Sequence, residues 1–158
     1  MHSLYRRYLS CWKLRNSIVY SPFTLRRRIE IMDNTQARSY LLNKVEALEY
    51  FPFGSDVSVF KVNHKMFATL VLGKGNEKGT NGKMAGYYCI NLKCEPIEAI
   101  MLRDIFSAVI PGYHMNKVQW NTVVLDGSIP QGEIERMIDN SYKLVVSKMA
   151  KKAQALLL

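Results

Sequence analysis

DVSVFKVNHKMFATLVL, residues Asp56 to Leu72, alternates apolar and polar positions as far as Val62, breaks at Asn63 and His64, and runs apolar again to Leu72. Successive side chains leave an extended backbone on opposite sides, so a period of two marks a strand. Val57 and Val59 fall on one side of it and Phe60 and Val62 on the other. Two polar residues between two such runs predict a hairpin, with Met66 to Leu72 returning beside the first strand, although Asn-His suits the tight turn less well than Asn-Gly would.

Outward from this hairpin the chain stays legible. GKGNEKGTNGK, Gly73 to Lys83, holds four glycines among polar residues and predicts a flexible, exposed loop. Tyr87 to Lys93 alternates again, a third strand with Tyr88, Ile90 and Leu92 inward and Tyr87, Cys89, Asn91 and Lys93 outward. Pro96 suits the first turn of a helix that presents Ile97, Met101, Leu102, Ile105, Phe106 and Val109 before Pro111-Gly112 stops it. Trp120 to Leu125 reads as a further strand ended by Asp126-Gly127, with a short pairing segment near Tyr113. Ser128 and Gln131 have the spacing of a capping box for a last helix, striped by Ile134, Met137, Ile138, Val145 and Met149. Upstream, Asp33, Asn34 or Thr35 caps a helix running to about Glu49, with Leu41, Val45 and Leu48 on one face. The order α-β-β-β-α-β(β)-α predicts an α+β, two-layer fold: an antiparallel sheet with helices on one face. There is no internal repeat.

The chain has 158 residues, 48% of them hydrophobic and 22% charged, which suits one globular domain with its own core. Its net charge of +9 is unevenly spread: residues 1–31 carry +6 and the remaining 127 only +3. That basic leader, with no clear apolar period, is expected to lie outside the domain of residues 32–158, as a disordered arm or upstream reading frame in preference to a targeting segment. Cys11, Cys89 and Cys94 form no paired framework, and no run is long and apolar enough to span a membrane, so a cytoplasmic protein is expected.

Several chemistries fail on spacing. The glycine loop lacks the Gly-Lys-Ser/Thr end of a phosphate loop, since Lys83 is followed by Met84. Cys89 and Cys94 with His64 and His114 do not give a zinc pattern, so neither metal nor cofactor is expected and the thiols read as structural. His114, Asn116, Lys117, Trp120 and Asn121 make a dense polar cluster, yet without a nearby carboxylate to complete a catalytic set, so no enzyme is expected. Its bland reading has the indole in the core and the imidazole and amides satisfying loop backbone. The charge of the domain concentrates in residues 56–93, where Lys61, Lys65, Lys74, Lys78, Lys83 and Lys93 oppose Asp56 and Glu77. Basic hairpins can follow a phosphate backbone, or can simply protect a sheet edge from aggregation.

PFGSDVSVFKVNHKMFATL (Pro52 to Leu70), INLKCEP (Ile90 to Pro96), PGYHMNKVQWNTVVLDGSIP (Pro111 to Pro130) and SYKLVV (Ser141 to Val146) resemble, in order and spacing, the blocks of the MmcQ/YjbR family. The resemblance spans roughly residues 45–150 and departs at Asn63-His64, where that family usually has a glycine before the lysine. It implies a two-layer fold of the kind seen in type III secretion chaperones and frataxin, and a suggested role in DNA binding through two β wings. Carried over by position, the wings are the hairpin around Lys61 and Lys65 and the loop bearing Lys74, Lys78 and Lys83, with Lys117 extending the patch. His114, Asn116, Trp120 and Asn121 fall in the signature segment. Frataxin-like iron handling needs an acidic ridge on the first helix, where only Glu46 and Glu49 stand. The expectation is therefore a non-enzymatic DNA-binding protein of low sequence specificity; the alternatives are a protein-binding adaptor and a small-molecule site around His114 and Trp120.

Overall fold

Asn63 and His64 both adopt left-handed backbone, φ 45° and 63°, which is what a two-residue hairpin turn between right-twisted strands demands. The strands they join are β2 (Val57–Val62) and β3 (Lys65–Leu72), with Val62 opposite Lys65. The ladder slips once: Phe60 faces Ala68 while Lys61 faces Met66, leaving Phe67 as the extra residue of a bulge. The computed structural model describes residues 30–157, so the expected basic leader lies outside the described residues except for Glu30 and Ile31. Those two touch the fold: Gln131 N–H donates to the Glu30 carbonyl and Ile31 lies against Gly127, while Met32 is buried in the core.

The order of elements is α1 (Asn34–Leu42), β1 (Ala47–Tyr50), β2, β3, β4 (Tyr88–Lys93), α2 (Pro96–Ile105), β5 (Val109–Pro111), β6 (Trp120–Val124), α3 (Gln131–Val146) and α4 (Lys151–Leu157). The six strands form one antiparallel sheet in the order β1-β2-β3-β4-β6-β5. Phe60, Leu70, Ile90, Leu92 and Val123 point from one face into a core closed by α1, α2 and α3, with the Phe67 ring edge-on to Tyr142 at 5.4 Å. This is the expected α+β, two-layer arrangement. Among the described residues no helix is long and apolar enough to cross a membrane.

Several local expectations give way. The first helix does not reach Glu49: it stops at Leu42, Glu46 turns left-handed at φ 52°, and residues 47–50 become the edge strand β1. Val45 and Leu48 are consequently exposed, and Leu41 alone of that stripe is buried. The carboxylate of Glu49 folds back to accept two hydrogen bonds from the Arg38 guanidinium, which ties the new strand to α1. Ile97 is exposed on α2, which ends at Ile105, and Val109 belongs to β5. Ser128 caps no helix: its N–H and hydroxyl both donate to Asp126 Oδ1, and α3 starts behind Pro130. The glycine loop is not simply an exposed tip, because Thr80 within it and Met84 just after it are buried and the Glu77 carboxylate accepts from the N–H groups of Lys74 and Gly75.

One side chain joins the two layers. Ser141 of α3 is fully buried and its hydroxyl donates to the Phe67 carbonyl at 2.5 Å while accepting from the Lys93 N–H at 2.8 Å. The bulge has separated these two backbone groups, and the hydroxyl replaces the ladder bond they would have made. Removing it orphans a donor and an acceptor, each costing about 1–3 kcal/mol when buried. Ser141→Ala is expected to destabilise the protein by about 2–4 kcal/mol, seen as a lower urea midpoint with an unchanged slope. His64→Gly is expected to act oppositely: a left-handed non-glycine residue carries about 1 kcal/mol of strain, so thermal unfolding should move upward.

Candidate functional site

The bulge at Phe67 and the end of α3 bring several lysines to one end of the sheet. Lys93 closes β4, its N–H held by Ser141, and its ammonium lies 5.6 Å from the centroid of Trp120, its partner in the β4–β6 ladder. Burial lowers the pKa of that amine, and the charges that act on it, Lys148 and Lys65, lower it further. Lys65 opens β3 and is exposed; Lys148 follows the last turn of α3 and is exposed. The Asn63 side-chain amide lies 4.0 Å from Met149 Sδ, which seats the β2–β3 turn against the chain immediately after Lys148. Lys61 lies one strand away from β3 with its ammonium 5.1 Å from the Tyr50 ring. Among the described residues, none of Lys61, Lys65, Lys93 and Lys148 forms an ion pair with a carboxylate. Lys151 and Lys152 begin α4 just beyond, both exposed.

The six lysines singled out from the sequence do not share one surface. Lys61 and Lys65 join the cluster, and the β5–β6 loop bearing exposed Lys117 leaves the sheet at the same end, with Cys94 N–H donating to the Gln119 carbonyl. Lys74, Lys78 and Lys83 lie beyond the far end of β3, eight residues or about 25 Å away. There Lys74 pairs with Asp56 at 3.2 Å and Lys83 donates to the Ser107 carbonyl at 3.0 Å. Sequence reasoning counted Lys93 toward the hairpin charge but gave it no site, and missed Lys148. The one available signal was the KMAKK run, Lys148 to Lys152, whose neighbours become visible only once α3 is docked.

The signature segment builds a loop. A Cβ on Gly112 would approach those of Trp120 and Met115 to 2.8 and 2.9 Å, so the chain can close here only through glycine. His114 is left-handed at φ 56°, its ring 4.0 Å from that of Tyr113. Asn116 Oδ1 accepts from the N–H groups of Val118 and Gln119, and Trp120 is only 7% exposed. Asn121 is spent between Arg103 Nε at 2.7 Å and the Ala99 carbonyl at 3.3 Å. Arg103 also donates to the carbonyls of Lys117 and Trp120, so this guanidinium fixes the loop that carries Lys117. Behind it, a polar row crosses the outer sheet face: Tyr113 N–H donates to Thr122 Oγ1, Thr122 to Asn91 Oδ1, and Asn91 Nδ2 to Thr69 Oγ1.

Among the described residues no three His, Cys, Asp or Glu side chains converge as a metal site. A cavity of about 10 Å³ between α2, α3 and the sheet, bordered by Cys94, Glu98, Asn121 and Asn140, has room for a single water. Burial pushes the Cys89 and Cys94 thiols up to about 12, with Glu77 and Asp126 adding to the effect at Cys89 and Glu98 at Cys94. Thiolate is the reactive form, so in a Cys11→Ser variant neither should react with a thiol reagent near about pH 8 until the protein is unfolded. Fast native labelling of either would contradict this placement.

An antiparallel sheet covered on one face by helices, with a tight basic hairpin and a glycine-closed loop at one end, defines a two-layer α+β class shared with solved structures. Protein DR2400 of Deinococcus radiodurans, described as a DUF419 domain, matches with a TM-score of 0.66 and 28% identity, over 80% of this chain and 88% of its own. A crystal structure of a Pseudomonas syringae protein matches at 0.63 and 32% identity, over 72% and 98%. The YjbR family model matches residues 42–144, and the chain belongs to the YjbR family. Among curated relatives, uncharacterized protein YbdF of Escherichia coli O157:H7 is 32% identical over 104 residues, which cover 66% of this chain and 76% of that protein.

Proposed function

We propose that this protein binds DNA without turnover and with little base specificity, through lysine contacts to phosphate. The observation that carries this reading is the placement of Lys65, Lys93 and Lys148 at one end of the sheet, where, among the described residues, none of them pairs with a carboxylate. Holding three ammonium groups together costs free energy through mutual repulsion, and a polyanion recovers it on docking. Lys61 and Lys117 stand at the same end of the sheet and extend the surface. The hairpin turn at Asn63-His64 is the wing of this reading, and the chain after α3 supplies its second half. The glycine loop, with two of its three lysines already engaged, contributes less.

If about four phosphates are neutralised, the slope of log K against log salt is near −3.6, and affinity falls on the order of a hundredfold between about 50 and 200 mM salt. Lys65→Glu with Lys148→Glu, both exposed positions, is expected to flatten that slope by about 2 or more, whereas Lys74→Glu with Lys78→Glu changes it little. A salt-independent response, or equal effects from the two pairs, would remove the proposal. The adaptor reading has one observation of its own: Ile97 and Ile100 project as exposed apolar side chains from α2. It is favoured if a partner protein is lost on Ile97→Ser with Ile100→Ser and that interaction is insensitive to salt.

A further inference from the structure

From the proposed nucleic-acid reading, on which this step rests, we infer that the surface takes a single strand in preference to a duplex, its bases stacking on Tyr50, Phe51 and Phe53. These three rings stand within four residues at the end of the edge strand β1 and are 37%, 50% and 75% exposed. Leu48, on the same side as Tyr50, is exposed as well. An apolar cluster of this kind is costly to leave in water and marks a surface that something covers.

The sheet register ties Tyr50 to two of the lysines. Tyr50 faces Val59, Val59 faces Thr69 and Thr69 faces Asn91, so Tyr50, Lys61 and Lys93 all project from the face opposite the helices. From Lys93 on β4 to Tyr50 on β1 is three strand spacings, about 14 Å. Across that width stand two lysine–aromatic pairs, Lys93 with Trp120 and Lys61 with Tyr50. Trp120 is buried and serves to position Lys93, whereas Tyr50 still presents ring surface. A duplex offers phosphates but keeps its base faces stacked on one another. A single strand offers both, and every base has a π face, so aromatic stacking beside a basic track binds it without regard to sequence. Lys61, Lys93 and the Tyr50 ring on one face, with Phe51 and Phe53 exposed just beyond the end of β1, therefore select the same occupant.

Binding of labelled oligothymidylate, oligouridylate and a duplex of the same length to the full chain at one salt concentration tests this. The single strands are expected to bind at least about tenfold more tightly than the duplex, and Tyr50→Ala and Phe53→Ala each to lose roughly tenfold for single strands with little change for the duplex. Phe53→Leu, which keeps apolar bulk but no ring, should lose affinity like Phe53→Ala, with the circular dichroism spectrum unchanged in all three variants. Duplex binding as tight as single-strand binding, or ring variants without effect on single strands, overturns this inference while leaving the proposed DNA binding intact. Loss of a dimer in the ring variants with unchanged oligonucleotide affinity also overturns it, assigning the rings to contact between copies. Salt-independent or absent binding of every probe overturns both.

Discussion

The fold and its basic end depend on a hydroxyl standing in for a backbone hydrogen bond. The bulge at Phe67 opens β3 from β4 just where the β2–β3 hairpin begins, and a gap there would leave a carbonyl and an N–H unpaired inside the protein. Ser141 fills it with a group that both donates and accepts, which neither alanine nor valine could do. In doing so it fixes the height of α3 on the sheet, so Tyr142, one residue on, meets the Phe67 ring, and the chain after α3 emerges beside Asn63.

The basic surface is a by-product of that docking. Lys65 belongs to the strand with the bulge, Lys93 is the residue whose N–H the serine takes, and Lys148 follows about two turns beyond that serine, just past the helix cap. Three segments distant in sequence thus contribute one ammonium each. Their common neighbourhood needs no dedicated binding loop, and the local charge is raised without any change in the modest net charge of the domain.

What was legible in the sequence follows from how local each cause is. The β2–β3 hairpin, strands β4 and β6, the start of α2 and the core stripe of α3 as far as Val145 rest on periodicity and turn chemistry within a few residues and appear where expected, while Met149 is buried but lies past the end of the helix. The edge strand β1 reads as helix in the sequence because Leu41, Val45 and Leu48 have helical spacing; the decisive forces, pairing with β2 and the Arg38 clamp on Glu49, act across the chain. The supposed capping serine was taken by its own turn at Asp126, a competing local bond of similar strength. The candidate site was the least legible part. Composition located the basic stretch, but a strand of eight residues separates its two halves, and the partners that complete one half come from the opposite end of the chain.

The row from Tyr113 through Thr122 and Asn91 to Thr69 runs in one sense, each member giving a proton toward β3. Asn91 can serve it in only one orientation of its amide. Sliding β4 past either neighbour by a single residue would turn this side chain to the opposite face and break both of its bonds at once. The middle of the sheet is accordingly stiff against shear, and its register is held by side chains as well as by the backbone ladder.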